Sequence, residues 1–246
     1  MERALTSIGI TCLVGLFLLF LGRRRTAAPP ASRSQGQILP PVVFDFGRWL
    51  MDGCIPVFRC CNVSPNALSF VSMPVCLCAA AMIASGHFGA GGVLLAVGFS
   101  FDAWDGALAR TLGVASDAGE VIDATIDRYN DVIVMLGFLY YFRDDLIPWL
   151  FAGAALVGTI VVSYVRAKGA SFGVDADIGF MQRHERALCL AVATSIAPAT
   201  VGLLEEASTH PSYYPVVAAL AAVAAGTHIT AIRRAHMVVA ALSARR

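Results

Sequence analysis

Polar and apolar positions along the chain alternate in long blocks. An apolar run over about residues 5–21 is closed by Gly22 and Arg23-Arg24-Arg25. Six more apolar runs follow, near 67–86, 90–110, 119–141, 146–168, 185–204 and 213–239. Each is close to the ~20 residues that a helix needs to cross a hydrocarbon core. The blocks predict an all-α polytopic membrane bundle with six core transmembrane helices. The three arginines directly after the first run oppose translocation, so that run reads as a retained N-terminal anchor rather than a signal peptide. Residues 26–40, rich in Ala, Pro, Ser and Gln, read as a linker. Residues 41–62 interleave Phe46, Trp49, Leu50 and Phe58 with Asp45, Arg48, Asp52 and Arg59. That mixture is too polar to span and fits an interfacial amphipathic helix, with a break expected at Pro56. Ser64 and Pro65 then supply the N-cap and first turn of a helix, and residues 63–246 form the membrane domain.

The distribution of charge sets the topology. Only 14% of residues are charged against 57% hydrophobic, and the net charge of +1 points to no polyanionic partner such as nucleic acid. Arg110, Arg166, Lys168, Arg183, Arg186, Arg233 and Arg234 belong to one side of the predicted bundle. His87, Arg143-Asp144-Asp145, Glu205-Glu206 and His210 belong to the other. The basic side is expected in the cytoplasm. The seven cysteines make no C-x-x-C pair and read as small hydrophobes.

Against this apolar background four aspartates stand out. Asp102 and Asp105 are three residues apart, Asp123 and Asp127 four, so on helices each pair shares one face. One Asp at a helix centre costs about 2.5–3.5 kcal/mol on insertion scales. A divalent cation offsets such a cost, and oxygen ligands without His or Cys favour Mg²⁺, Mn²⁺ or Ca²⁺. Gly106, Ala109 and Gly119 are small where helices or a ligand must come close. Asp131, one turn beyond Asp127, reads as a supporting ion-pair residue beside Arg128 and Asn130, and Asp117 as a solvated turn or cap residue.

The stretch from Asp102 to Asp127 resembles the signature of the CDP-alcohol phosphatidyltransferases, D-x2-D-G-x2-A-R-x8-G-x3-D-x3-D, with Asp102, Asp105, Gly106, Ala109, Arg110, Gly119, Asp123 and Asp127 all in register. The resemblance implies that Asp102, Asp105, Asp123 and Asp127 hold two Mg²⁺ or Mn²⁺ ions. It makes Asp127 the base for the attacking hydroxyl, and it assigns Gly106, Ala109 and Arg110 to the CDP-diacylglycerol donor. Asn66 either touches the nucleotide or serves a local cap. A homodimer is also implied, in what reads as a prokaryotic cell membrane; the distribution of charge turns the site to the cytoplasm.

A second constellation is basic. Ser163-Tyr-Val-Arg166-Ala-Lys168 and Arg183-His-Glu-Arg186 resemble one branch of the family, the prokaryotic phosphatidylinositol-phosphate synthases, although Lys168-Gly169-Ala170 departs from its pattern. That resemblance gives Arg166, Arg186 and one of Arg233 and Arg234, Arg233 first, to the phosphate of an inositol phosphate acceptor. Guanidinium forks suit phosphate oxygens. Two alternatives stay open at this level: glycerol 3-phosphate as acceptor, and a cation-coupled transporter built on the same carboxylates.

Overall fold

The computed structural model describes residues 17–21, 40–201, 203–204 and 210–245. Most of the predicted anchor, the linker and Glu205-Glu206 lie outside the described residues. Seven long helices stand among the described residues: α1 Pro41–Cys60, α2 Pro65–Ala84, α3 Phe88–Leu112, α4 Asp117–Tyr141, α5 Leu146–Ser171, α6 Arg183–Thr200 and α7 Tyr214–Ser243. No β-strand is found among those residues.

Local chemistry sets several boundaries. The Ser64 hydroxyl accepts from the Ala67 amide at 3.2 Å, ahead of Pro65 in the first turn of α2. Ser116 caps α4 in the same way, accepting from Gly119 N at 3.2 Å. Gly113, with φ of 68°, ends α3 in the left-handed conformation that a side chain disfavours. The expected break in α1 at Pro56 does not occur; the helix runs through to Cys60.

Helix contacts close into a ring. α2 packs on α3 and α4, α3 on α6, α6 on α7, α7 on α5, and α5 back on α4. α1 lies outside the ring against α3, with Phe58 and Trp104 ring centroids 5.5 Å apart. Residues 17–21 reach α1 through Phe20, whose ring centroid lies 5.6 Å from that of Phe46. Small residues allow the close crossings: a Cβ at Gly98 would stand 2.7 Å from Cys76 Sγ, and one at Gly137 the same distance from the Ala80 carbonyl. Cys76 is buried as a packing residue, as expected.

The core is apolar at one end of the ring and charged at the other. Ile83, Phe88, Leu95, Phe138, Leu190 and Leu220 fill the first end. The outer faces of the same helices expose Phe70, Leu77, Leu150, Val157 and Val239, as lipid-facing surfaces do. α2, α3, α5 and α7 are long and apolar enough to cross a membrane. The other two ring helices, α4 and α6, carry Asp123, Asp127, Arg128, Asp131, Arg183 and Arg186.

Candidate active site

Three of the four signature aspartates converge where α3 ends and α4 begins. Asp102, Asp123 and Asp127 offer carboxylate oxygens that all lie within 4.8 Å of one another. An all-oxygen cluster of this size suits Mg²⁺ or Mn²⁺ in donor type and spacing. Asp105 is buried and accepts a hydrogen bond from the Ser69 hydroxyl of α2, which anchors it from a third helix. It lines a cavity together with Asp123.

That cavity, about 570 Å³, lies between the start of α2, the end of α3 and the start of α4. Asn66, Gly106, Ala109 and Arg110, all expected on the donor side, line it. Its volume falls in the ordinary range for small-molecule sites. A Cβ at Gly106 would lie 3.3 Å from Arg110 Nη1, so the glycine lets the guanidinium fold back over the helix. Ser64 performs the capping of α2, which removes the local need for Asn66 as a cap. A second cavity, about 670 Å³, lies at the opposite end among His87, Tyr140, Arg143 and His210 and contains no signature residue.

The arginines divide into two groups. The first surrounds Asp131, which proves to be buried in the ring. Arg128 Nη1 lies 3.6 Å from Asp131 Oδ2, Arg183 Nε 3.9 Å from Oδ1, and Arg186 Nη2 3.5 Å from Oδ2. Arg186 also donates to the Met181 carbonyl at 3.1 Å. Arg183 reaches further, pairing with Asp102 and, at 2.7 Å, with Asp127. Arg128 donates to Ser163 of α5 and so ties α4 to its neighbour. The second group meets at Asp177 in the loop before α6, where Arg166 stands at 3.6 Å and Arg234 at 3.7 Å from the same oxygen.

The adjacent arginines of α7 face different ways. Arg234 is buried and donates to the carbonyls of Ile178 at 2.8 Å and Val162 at 3.2 Å. Arg233 is exposed and lies over the Phe180 ring, 5.4 Å from its centroid. Of the two expected phosphate ligands on this helix, the inward one is Arg234. Arg166 is exposed at the end of α5, whereas Arg186 is enclosed. Two residues that touch the carboxylates had no role assigned from the sequence: Arg183, noted only as a member of the basic constellation, and Ser69. Arg183 carried a signal, since it stands three residues before Arg186 and shares its helix face. Ser69 carried none, being one hydroxyl within an apolar run.

Comparison with known proteins bears on this geometry. Residues 62–229 match the family model described as CDP-alcohol phosphatidyltransferase. The chain belongs to the CDP-alcohol phosphatidyltransferase family. It is therefore a transferase, and the transporter alternative falls away. It is similar to the archaetidylinositol phosphate synthase of Pyrococcus horikoshii, 31% identical over 143 residues that cover 58% of this chain and 74% of that protein. It also resembles the phosphatidylinositol phosphate synthase of Corynebacterium glutamicum, 31% identical over 180 residues, or 70% of this chain and 76% of that one. Among solved structures the fold matches that of Mycobacterium tuberculosis phosphatidylinositol phosphate synthase with CDP-DAG bound. There the TM-score is 0.66 at 23% identity, covering 77% of this chain and 94% of the other. The same synthase in complex with manganese and citrate gives 0.63 at 24% identity, covering 78% and 88%.

Proposed function

We propose that this transferase moves the phosphatidyl group of CDP-diacylglycerol onto a hydroxyl of a phosphorylated polyol, inositol phosphate in first place, and releases CMP. The observation that carries the reading is the contact between the two halves of the site. The carboxylates that suit a divalent metal and the arginines that suit a phosphate share one residue, Arg183, and meet around Asp131. A single site thus offers a place for a pyrophosphate donor and a place for a second anion. The names of the similar synthases support the same acceptor class.

Asp102, Asp105, Asp123 and Asp127 would hold two Mg²⁺ or Mn²⁺ ions, which supply charge neutralisation for the donor pyrophosphate and the departing CMP. The chain's own residues do the rest. Asn66, Gly106, Ala109 and Arg110 bind the nucleotide end of the donor in the cavity between α2, α3 and α4, with its acyl chains left in the bilayer. Arg186, Arg234 and Arg166 hold the acceptor phosphate and orient the hydroxyl. Asp127 takes the hydroxyl proton as the new O–P bond forms and the bond to CMP breaks. Since the basic end of the ring carries the site, the site faces the cytoplasm. The reading also includes a homodimer, which native mass spectrometry of the solubilised protein checks.

The deciding assay uses purified protein, labelled CDP-diacylglycerol, Mn²⁺ or Mg²⁺, and a panel of inositol phosphate, glycerol 3-phosphate, inositol and serine. CMP release with inositol phosphate, abolished by EDTA and by Asp123→Asn, is the expected result. A preference for an unphosphorylated acceptor, or full activity in EDTA, overturns the reading.

A further inference from the structure

The carboxylates that suit the metal are also the carboxylates that hold Arg183. Its guanidinium pairs with Asp102 and Asp127, two of the three clustered aspartates. A divalent ion and a guanidinium that share those oxygens compete for the same lone pairs, and two cations at close range repel strongly where water is scarce. Arg183 also has a third carboxylate within reach: Asp131 Oδ1 is 3.9 Å from its Nε, on the side where Arg186 lies. The guanidinium carbon lies 5.5 Å from the centre of the Phe99 ring, an apolar surface that favours no single position along it.

The donors themselves point to an anion. Arg183 Nε and Nη2 and Arg186 Nη2 are shielded from water, yet none makes a directed hydrogen bond; the nearby carboxylates attract them by charge without the alignment. Buried donors without an aligned acceptor are costly, and a phosphate oxygen beside Asp131 would serve Arg183 Nε and Arg186 Nη2, the two that face that carboxylate.

We infer that Arg183 is a positioning residue that couples the two halves of the site. Divalent metal displaces its guanidinium from Asp102 and Asp127, and the released group joins Arg186 on the acceptor's phosphate. Before metal arrives, Arg183 neutralises the buried carboxylates; afterwards its charge serves the second substrate. This rests on the metal-dependent transferase reading above. By linkage, metal and phosphate then raise each other's affinity by the same factor. The acceptor is held well only when the donor side is loaded.

The test reads metal binding rather than turnover. Mn²⁺ is titrated into the detergent-solubilised full chain, free Mn²⁺ is followed by electron paramagnetic resonance, and inorganic phosphate serves as the probe anion. Wild-type protein should bind Mn²⁺ about fivefold or more tightly when phosphate is present. Arg183→Gln should bind Mn²⁺ about tenfold more tightly than wild type without phosphate, and phosphate should then add nothing. Equal or weaker Mn²⁺ binding in Arg183→Gln overturns the inference, as does a wild type indifferent to phosphate. If Arg183→Gln does not fold, the wild-type phosphate effect decides alone. Asp123→Asn separates the two levels. If it weakens Mn²⁺ binding while Arg183→Gln behaves like wild type, only the Arg183 role fails; if wild type binds no Mn²⁺, the metal-dependent reading fails and the inference with it.

Discussion

Asp131 Oδ2 lies 3.5 Å from Arg186 Nη2, and both side chains are buried. The same carboxylate faces Arg128 and Arg183, so several guanidinium groups compete for one negative charge. Removing one partner of a buried pair normally leaves an uncompensated charge. Here the loss of Arg186 leaves Asp131 with two other cations. Arg186 is thus free to serve a ligand without being the element that holds the helices together.

Arg186→Ala should therefore raise the KM for the phosphorylated acceptor and leave that for CDP-diacylglycerol nearly unchanged. A charge-assisted hydrogen bond is worth about 1.5–3 kcal/mol, which corresponds to roughly a ten- to hundredfold weaker acceptor. Arg110→Ala, in the cavity between α2, α3 and α4, should show the reverse pattern. Steady-state CMP release with each substrate varied in turn distinguishes the two. An Arg186→Ala enzyme with wild-type acceptor KM removes this residue from the acceptor site.

The neighbours Arg233 and Arg234 should behave differently. Arg234→Ala deletes hydrogen bonds to Ile178 and Val162 and an ion pair with Asp177. A loss of about 1–3 kcal/mol in stability and a raised acceptor KM are expected together. Arg233→Ala gives up only an exposed contact with Phe180, and its effect should stay within about 0.5 kcal/mol. Thermal unfolding in detergent, read beside acceptor kinetics, compares them. Equal effects from the two variants would contradict the burial difference.

Ser69 presents a cleaner perturbation, because one hydroxyl is removed and Asp105 loses its donor from α2. Ser69→Ala should raise the Mn²⁺ concentration for half-maximal CMP release by about tenfold, in line with a hydrogen bond to a charged group. Ser69→Thr, which retains the hydroxyl, should recover part of the loss. Unaltered metal dependence in Ser69→Ala means that Asp105 needs no such anchor.

Topology is tested by single-cysteine reporters at Ser116, the cap of α4, and Asp144, in the exposed turn after α4. In a background free of native cysteines, a membrane-impermeant thiol reagent added to intact cells should label the Asp144 reporter and spare the Ser116 reporter. Labelling of both from outside contradicts a cytoplasmic site.

Much of this is legible in the amino-acid sequence. The aspartate spacings place each pair on one helix face whatever the tertiary packing, because the α-helical repeat alone decides that. Ser64 and Ser116 cap α2 and α4 as local chemistry requires; Ser64 is an expected N-cap, whereas the cap of α4 is Ser116, one residue before Asp117. Pro56 shows the opposite case. A proline costs a helix one hydrogen bond and some distortion, yet α1 packs on α3 around it and continues.

The amino-acid sequence by itself determined the family, the blocks that become helices, the charged end of the bundle and the set of residues from which the site is drawn. These depend on local periodicity, on hydropathy and on a fixed motif spacing, none of which needs a partner helix. Only the tertiary structure decided which members of that set meet. Arg233 and Arg234 are one residue apart, about 100° around the helix, so the rotation of α7 in its packing turns one inward and the other out. Arg183 joins Asp102 of α3 to Asp127 and Asp131 of α4 because α6 packs beside α3 in the ring, a neighbour remote in sequence. That adjacency is set where small residues let backbones approach, and no spacing along the chain encodes it.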